Sequence, residues 1–210
     1  MTKAIIFDFD GTIANTKAFA YQVYTKLTDQ YGIKQLSEKE FDHLKTLTLV
    51  DKFRVHDISI FKLPKLVRQA RKTISMVMHE IKPYDQMIEL LQLLHKNNIL
   101  LFIVSSNSKN NILVFTNQYN INFFEKIYGR AKYFKKEKTL KKVLKEYNLN
   151  QEEVLYIGDE VRDIRSCKKI NLPIVSVTWG FDDKDMLEKE NPNYIADDME
   201  SLKKSIFANK

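Results

Sequence analysis

The sequence predicts an α/β protein, a doubly wound parallel sheet with an α-helical segment inserted near its start. Three observations carry this. From Pro83 onward, fully apolar runs of strand length alternate with amphipathic helical patterns, as a parallel sheet covered on both faces requires. Residues 15–81 show helical periodicity and no convincing strand. Each notable polar cluster (Asp8 and Asp10; Ser105 to Asn107; Asp159 to Asp163) directly follows an apolar run, where open parallel sheets bind their ligands. The predicted division is an α/β core of residues 1–14 and 83–210 and an inserted α-helical domain of residues 15–82.

Taken in order, Ala4-Ile5-Ile6-Phe7 is an apolar, β-branched and aromatic run that breaks at Asp8-Phe9-Asp10-Gly11-Thr12, a buried strand entering a loop. In the helical segment, Leu63, Leu66, Val67, Ala70, Ile74, Val77, Met78 and Ile81 recur at helical spacing, with Lys65, Arg68, Arg71 and Lys72 off that stripe. Pro64 suits a first turn, and Lys82-Pro83 closes the segment. Met87, Leu90, Leu91 and Leu94 mark the next helix. Ile99 to Val104 is a strand ending in Ser105-Ser106-Asn107, followed by a helix around 109–119 and a weak segment at Ile127-Tyr128. Leu140, Val143, Leu144 and Tyr147 mark another helix. Val154 to Ile157 is a strand ending in Gly158-Asp159, and a short helix is expected over Ile164 to Ile170. Pro173 to Thr178 is a strand ending in Trp179-Gly180. Tyr194 to Ala196 is a last short strand, and a terminal helix begins near Met199.

Composition narrows the class. Hydrophobic residues make up 44% and charged residues 29%, with only 5 glycines and 4 prolines, so long linkers and extensive disorder are not expected. The formal net charge is +7. No run of like charges reaches tail length, and the densest cluster, Lys135 to Lys145, is broken by Glu137, Leu140, Val143 and Leu144 as an amphipathic helix would be. A lysine-rich solvated surface therefore explains the charge better than a nucleic-acid partner. The single cysteine, Cys167, excludes an internal disulfide and reads as helix packing. No leader segment and no apolar run of membrane-spanning length is read, so a soluble cytoplasmic protein is the expectation.

The polar clusters suggest chemistry. In an extended segment, residues i and i+2 point the same way, so Asp8 and Asp10 can face one site, one as nucleophile and the other handling protons. Ser105 and the following amides suit phosphoryl oxygens, although Ser106, Asn107 or Ser108 also suit a helix N-cap. Asp159 and Asp163 come together if a helix starts near Glu160. Their hard oxygens suit Mg²⁺, while Glu160 and Asp163 suit the helix N-terminal dipole equally well. Lys136 and Lys138, placed before a helix, are candidate cations for a transferring phosphoryl group.

These residues resemble a known family. Phe7-Asp8-Phe9-Asp10-Gly11-Thr12 is similar to the first motif of the haloacid dehalogenase superfamily, Val104-Ser105-Ser106-Asn107 to its second, Lys136 to its third-motif lysine, and Gly158-Asp159-Glu160-Val161-Arg162-Asp163 to its fourth. The helical insert between the first and second motifs resembles the C1 cap of the phosphoglycolate phosphatase-like subgroup, as does Trp179-Gly180-Phe181 after a strand. The resemblance implies a Mg²⁺-dependent phosphatase acting on a small phosphorylated metabolite through an aspartyl-phosphate. It implies Asp8 as nucleophile and Mg²⁺ ligand, and Asp10 as acid, base and carbonyl ligand. Ser105 and Lys136 would then hold the phosphoryl group, with Gly11, Thr12, Ser106 and Asn107 on the substrate side and Asp159 and Asp163 at the metal. Many relatives have proline after the lysine; Glu137 stands here, which leaves Lys135, Lys136 and Lys138 open as the phosphate-binding cation. Lys45 and Thr46, in a break between two cap helices, are the candidate cap contacts to substrate. The alternatives are a sugar-phosphate mutase on the same core and a non-enzymatic anion- or nucleic-acid-binding protein.

Overall fold

Successive side chains of a strand point to opposite faces. In β1 (Ala4–Phe7), Ile5 and Phe7 join one apolar cluster while Ala4 and Ile6 join another, and all four are fully buried. Such a strand needs cover on both faces, and the computed structural model supplies it. It describes residues 2–33, 35–44, 47, 51, 54–55, 61, 63–132 and 135–208. Among these, one parallel sheet is built from β1, β2 (Leu100–Val104), β3 (Phe124–Tyr128), β4 (Val154–Gly158), β5 (Ile174–Val177) and β6 (Tyr194–Ala196), in the spatial order β3-β2-β1-β4-β5-β6. The order reverses at β1, the point where doubly wound sheets open a binding crevice.

The helices follow from the apolar stripes. In the helical segment, α1 (Ala20–Tyr31) packs on α3 (Leu63–Met76), with α2 (Glu38–His43) between them in sequence. Ser37 caps α2 in a capping box with Glu40. Tyr21, Tyr24 and Phe41 pack as an aromatic trio, with the Tyr24 and Phe41 ring centroids 4.7 Å apart. Over the core, α4 (Met87–Lys96), α5 (Lys109–Gln118) and α9 (Met199–Phe207) cover one face of the sheet. The opposite face is covered by α6 (Lys136–Glu146), α7 (Val161–Lys168) and α8 (Lys184–Lys189). Cys167 is buried in the second cluster as a packing residue. The chain passes to the helical segment and back along two segments tied together. An antiparallel bridge joins Ala14 and Pro83, the Asn15 N–H donates to the Lys82 carbonyl (2.8 Å), and the Tyr84 N–H donates to the Ile13 carbonyl (3.0 Å).

The differences from expectation are local. The weak segment at Ile127-Tyr128 is the end of the edge strand β3, whose Glu125 is exposed; half-wet edges dilute an apolar signal. Helix α7 runs Val161–Lys168 rather than 164–170, because it begins on the polar motif itself. Lys136 is the first residue of α6, not a residue before it. Helix α8 carries mostly charged residues and lacks the stripe that announces the others. Lys45 and Thr46 lie outside the described residues, as do the side chains of Leu63, Val67 and Arg71.

Register converts this topology into a site. Phe7 pairs with Ile103 of β2 and with Ile157 of β4. Asp8 therefore stands level with Val104 and Gly158, and one residue further come Ser105 and Asp159. The Asp8 N–H still donates to the Ile157 carbonyl (2.8 Å), so the carboxylate leaves the sheet from its most constrained strand. Ile6→Ala, which empties space beneath that strand, is expected to lower the unfolding free energy by about 2–5 kcal/mol in urea denaturation. A loss below about 1 kcal/mol would contradict the tight packing of β1.

Candidate active site

The polar strand ends converge on Lys136. Its Nζ donates to Asp8 Oδ2 (2.6 Å), to Asp163 Oδ1 (2.6 Å) and to the Tyr156 hydroxyl (2.8 Å). Lys136, Asp8, Asp163 and Tyr156 are each at most 1% exposed. A helical side chain leans back toward the helix N-terminus, which aims the first residue of α6 over the carboxyl ends of β1 and β4. Lys135 and Lys138 are exposed; of the three lysines left open by the sequence, Lys136 alone is buried against Asp8.

Asp163 serves two ends. Its Oδ1 accepts from Lys136, and its Oδ2 accepts from the Glu160 N–H (3.4 Å) at the start of α7. The helix-terminus reading and the site reading are both true of this one carboxylate. Asp159 is held differently. Its Oδ1 accepts from the Thr12 hydroxyl (2.7 Å) and its Oδ2 from the Phe181 N–H (2.8 Å). Two glycines press on it. A Cβ on Gly180 would lie 2.1 Å from the Asp159 Cβ, and one on Gly11, whose φ is +75°, would lie 2.2 Å from Asp159 Oδ2. Any side chain there would push the carboxylate out of place. Trp179 packs partly buried beside the core, and its Nε1 donates to the Thr12 carbonyl (3.4 Å).

The second strand end sits close by. Ser105 is fully buried, and its Oγ accepts from the Asn107 N–H (3.1 Å), which leaves its own proton to donate. The Asn107 amide donates to Asp10 Oδ1 (2.9 Å). Ser106 is half-buried beside them. The helix cap is Ser108, whose side chain accepts from the Asn111 N–H. The candidates Asp8, Asp10, Gly11, Thr12, Ser105, Ser106, Asn107, Lys136, Asp159 and Asp163 thus gather along one sheet edge. Tyr156 and Arg162 are not among the residues the sequence points to, and Glu160 is read there only as serving the helix N-terminal dipole. Arg162 pairs with Glu160 and reaches within 3.8 Å of Asp8 Oδ2. Its signal in the sequence was its place inside the Gly158–Asp163 motif.

The electrostatics follow from five carboxyl groups (Asp8, Asp10, Asp159, Glu160, Asp163) meeting two cations (Lys136, Arg162). Burial pushes Asp163 up, but Lys136 and Arg162 outweigh it and hold the carboxyl below its ordinary value. Burial likewise opposes the Lys136 charge, and Asp163 and Asp8 reverse that and raise it. The pair is ionised. Asp8, sharing Lys136 with Asp163, is instead raised by burial and by Asp163. Asp159 is raised well above its ordinary value by burial, then by Glu160 and Asp8. Withdrawal from water, with Asp8 adding repulsion, pushes Asp10 up to about 7. Excess buried negative charge of this kind calls for a further cation. Carboxylate oxygens of Asp8, Glu160 and Asp163 lie within 4.8 Å of one another, and a set of hard oxygen donors fits a divalent ion such as Mg²⁺. Among the described residues the donor set therefore fits the metal.

Removing one partner of a buried ion pair leaves the others uncompensated. Lys136→Met is expected to lower the unfolding free energy by about 3–5 kcal/mol, read from denaturant midpoints without added metal. Unchanged stability would show that Asp8 and Asp163 do not depend on that ammonium.

Known proteins resemble this chain in sequence and in fold. A curated phosphoglycolate phosphatase of Synechococcus elongatus is 23% identical over 205 residues, covering 97% of each chain. The pyrophosphatase PpaX of Oceanobacillus iheyensis is 24% identical over 211 residues, covering 95% of this chain and 94% of that one. The same fold occurs in a haloacid dehalogenase-like hydrolase of Streptococcus pneumoniae, at a TM-score of 0.80 and 22% identity over 99% of this chain and 98% of that one. It also occurs in CbbY of Rhodobacter sphaeroides, solved with phosphate, at a TM-score of 0.73 and 17% identity over 97% and 100% of the two chains. The sequence model of the haloacid dehalogenase-like hydrolases matches residues 5–177, and the chain belongs to that family.

Proposed function

We propose that this chain is a magnesium-dependent phosphatase that hydrolyses a small phosphomonoester through an aspartyl-phosphate on Asp8. One observation carries the reading: Asp8, at the end of the central strand, shares a buried ammonium with Asp163, and a second carboxyl, Asp10, stands two residues further on. The names of the relatives, a phosphoglycolate phosphatase and a pyrophosphatase, support a small phosphorylated substrate.

In the proposed reaction, an Asp8 oxygen attacks phosphorus. The bond from phosphorus to the leaving oxygen breaks, and that oxygen takes its proton from Asp10. Asp10, now a carboxylate, then removes a proton from water. The water oxygen attacks the aspartyl-phosphate, Asp8 departs as carboxylate, and inorganic phosphate is released. Lys136 and the Ser105 hydroxyl balance charge on the phosphoryl oxygens, with Gly11, Thr12, Ser106 and Asn107 around them. Magnesium would be held by Asp8, the Asp10 carbonyl, Asp159 and Asp163, with Glu160 beside them. When bound, the metal supplies positive charge against the transferring group. The helical segment 15–82 is proposed to act as a cap domain that closes over the core and excludes water.

Phosphate release from a panel of small phosphomonoesters tests this. Wild type with Mg²⁺ is expected to release phosphate from at least one member, and Asp8→Asn to lose at least about a thousandfold in rate while keeping its far-ultraviolet spectrum. Excess chelator is expected to abolish turnover, with Ca²⁺ a poor replacement because it prefers more ligands and looser geometry. Release that persists in Asp8→Asn, or in chelator, contradicts the reading.

A further inference from the structure

Behind Asp10 lies a pair of asparagines, Asn107 and Asn111, and the steps above give the second of them no role. Asn107 is 3% exposed and Asn111 7% exposed. The Asn107 Oδ1 accepts two hydrogen bonds, from the Ser108 N–H (2.7 Å) and from the Asn111 amide nitrogen (2.9 Å). Two donors aimed at one atom identify it as the oxygen, since an amide turned the other way would set donor against donor. The amide nitrogen of Asn107 is thereby directed at Asp10 Oδ1, 2.9 Å away. The Asn107 backbone is fixed as well: its carbonyl accepts from the Arg130 N–H (2.6 Å), and its N–H donates to Ser105 Oγ (3.1 Å). Asn111 stands in the first turn of α5, its own N–H bonded to the Ser108 cap (3.1 Å). Hydrogen bonds thus run without a break from the α5 N-terminus to the Asp10 carboxyl.

We infer that Asn111, acting through Asn107, is a positioning residue that decides which Asp10 oxygen carries the transferred proton. Asp10 Oδ1 is already an acceptor of an N–H, so the acid proton belongs on Oδ2. That oxygen is then the one that gives its proton to the leaving oxygen as the phosphorus–oxygen bond breaks, and that later takes a proton from water. Without the Asn111 donor, the Ser108 N–H alone holds the Asn107 oxygen in place, and the amide turns over more readily to present its oxygen to Asp10. An acceptor in that place pulls the acid proton onto Oδ1, away from the reacting oxygen. The inference rests on the proposed role of Asp10.

Leaving-group dependence provides the test. A nitrophenyl ester departs readily without a proton, whereas a simple alkyl ester such as glycerol phosphate needs one. The quantity kcat/KM covers the step that expels the leaving group. With saturating Mg²⁺, Asn111→Ala and the isosteric Asn111→Asp, which keeps the volume and removes the donor, are compared with wild type on both esters. Each is expected to lose at least about tenfold in kcat/KM on the alkyl ester and less than about threefold on the aryl ester, with KM little changed. Equal losses on both esters, or no loss, overturn the inference. Asp10→Asn, run alongside, separates the two levels. If Asp10→Asn shows the selective loss and the Asn111 variants do not, the Asn111 role alone fails. If Asp10→Asn shows no selectivity, the role of Asp10 fails and the inference falls with it.

Discussion

An ammonium group with no access to water holds this site together. Lys136 is 1% exposed and bonded at 2.6 Å to carboxylates from β1 and from α7. An isolated charge in that position would be very costly, so the lysine and its two acidic partners must be placed together. The pairing explains why Asp163 stays ionised although buried. It also explains why Asp8, as the second claimant on the same cation, remains short of positive charge. The site is thus built with room for one more cation, and Asp159, cradled between Gly11 and Gly180, adds to that demand. Replacing the cluster with apolar side chains would serve stability as well or better; its retention makes sense as chemistry.

Topology brings these groups together from widely separated positions. The end of β1 lies between those of β2 and β4 in flush register. Asp8, Ser105 and Asp159 therefore meet without any long loop having to place them. The helices add the rest from their first turns: Lys136 from α6, Asp163 from α7 and the asparagine pair at the mouth of α5. Groups carried on helices and strands are placed more precisely than groups on loops, which suits a site that must be held to within a fraction of an ångström.

Much of this was legible in the sequence because the same positions leave a local mark. A run such as Ala4–Phe7 broken by Asp8-Phe9-Asp10-Gly11 announces a strand end, and Gly158-Asp159 announces another. What was not legible is non-local. Nothing near Lys136 distinguishes it from Lys135 or Lys138; the difference is which of them α6 turns inward. Tyr156 reads as one more apolar strand residue, yet its hydroxyl meets Lys136. Arg162 and Glu160 sit within a motif, but their mutual pairing and approach to Asp8 depend on the α7 start at Val161. Asn107 reads as a substrate contact or a cap, and its amide is turned to Asp10 because of Asn111, four residues on. Charged α8 and the half-wet edge strand β3 lacked the apolar periodicity on which the other elements were read.

The central claim is that a phosphoryl group passes through Asp8, and it is tested most directly by trapping that group. The protein is mixed with a nitrophenyl phosphate, whose leaving group needs no proton from Asp10, and Mg²⁺, quenched in acid, and reduced with borohydride, which converts an acyl phosphate to the alcohol. Mass spectrometry of the peptides then locates the reduced residue. The account predicts that residue 8 appears as homoserine, in an amount that rises in Asp10→Asn, where the attacking water lacks its base. Turnover with an unmodified Asp8 in both proteins, or modification at another residue, would contradict it.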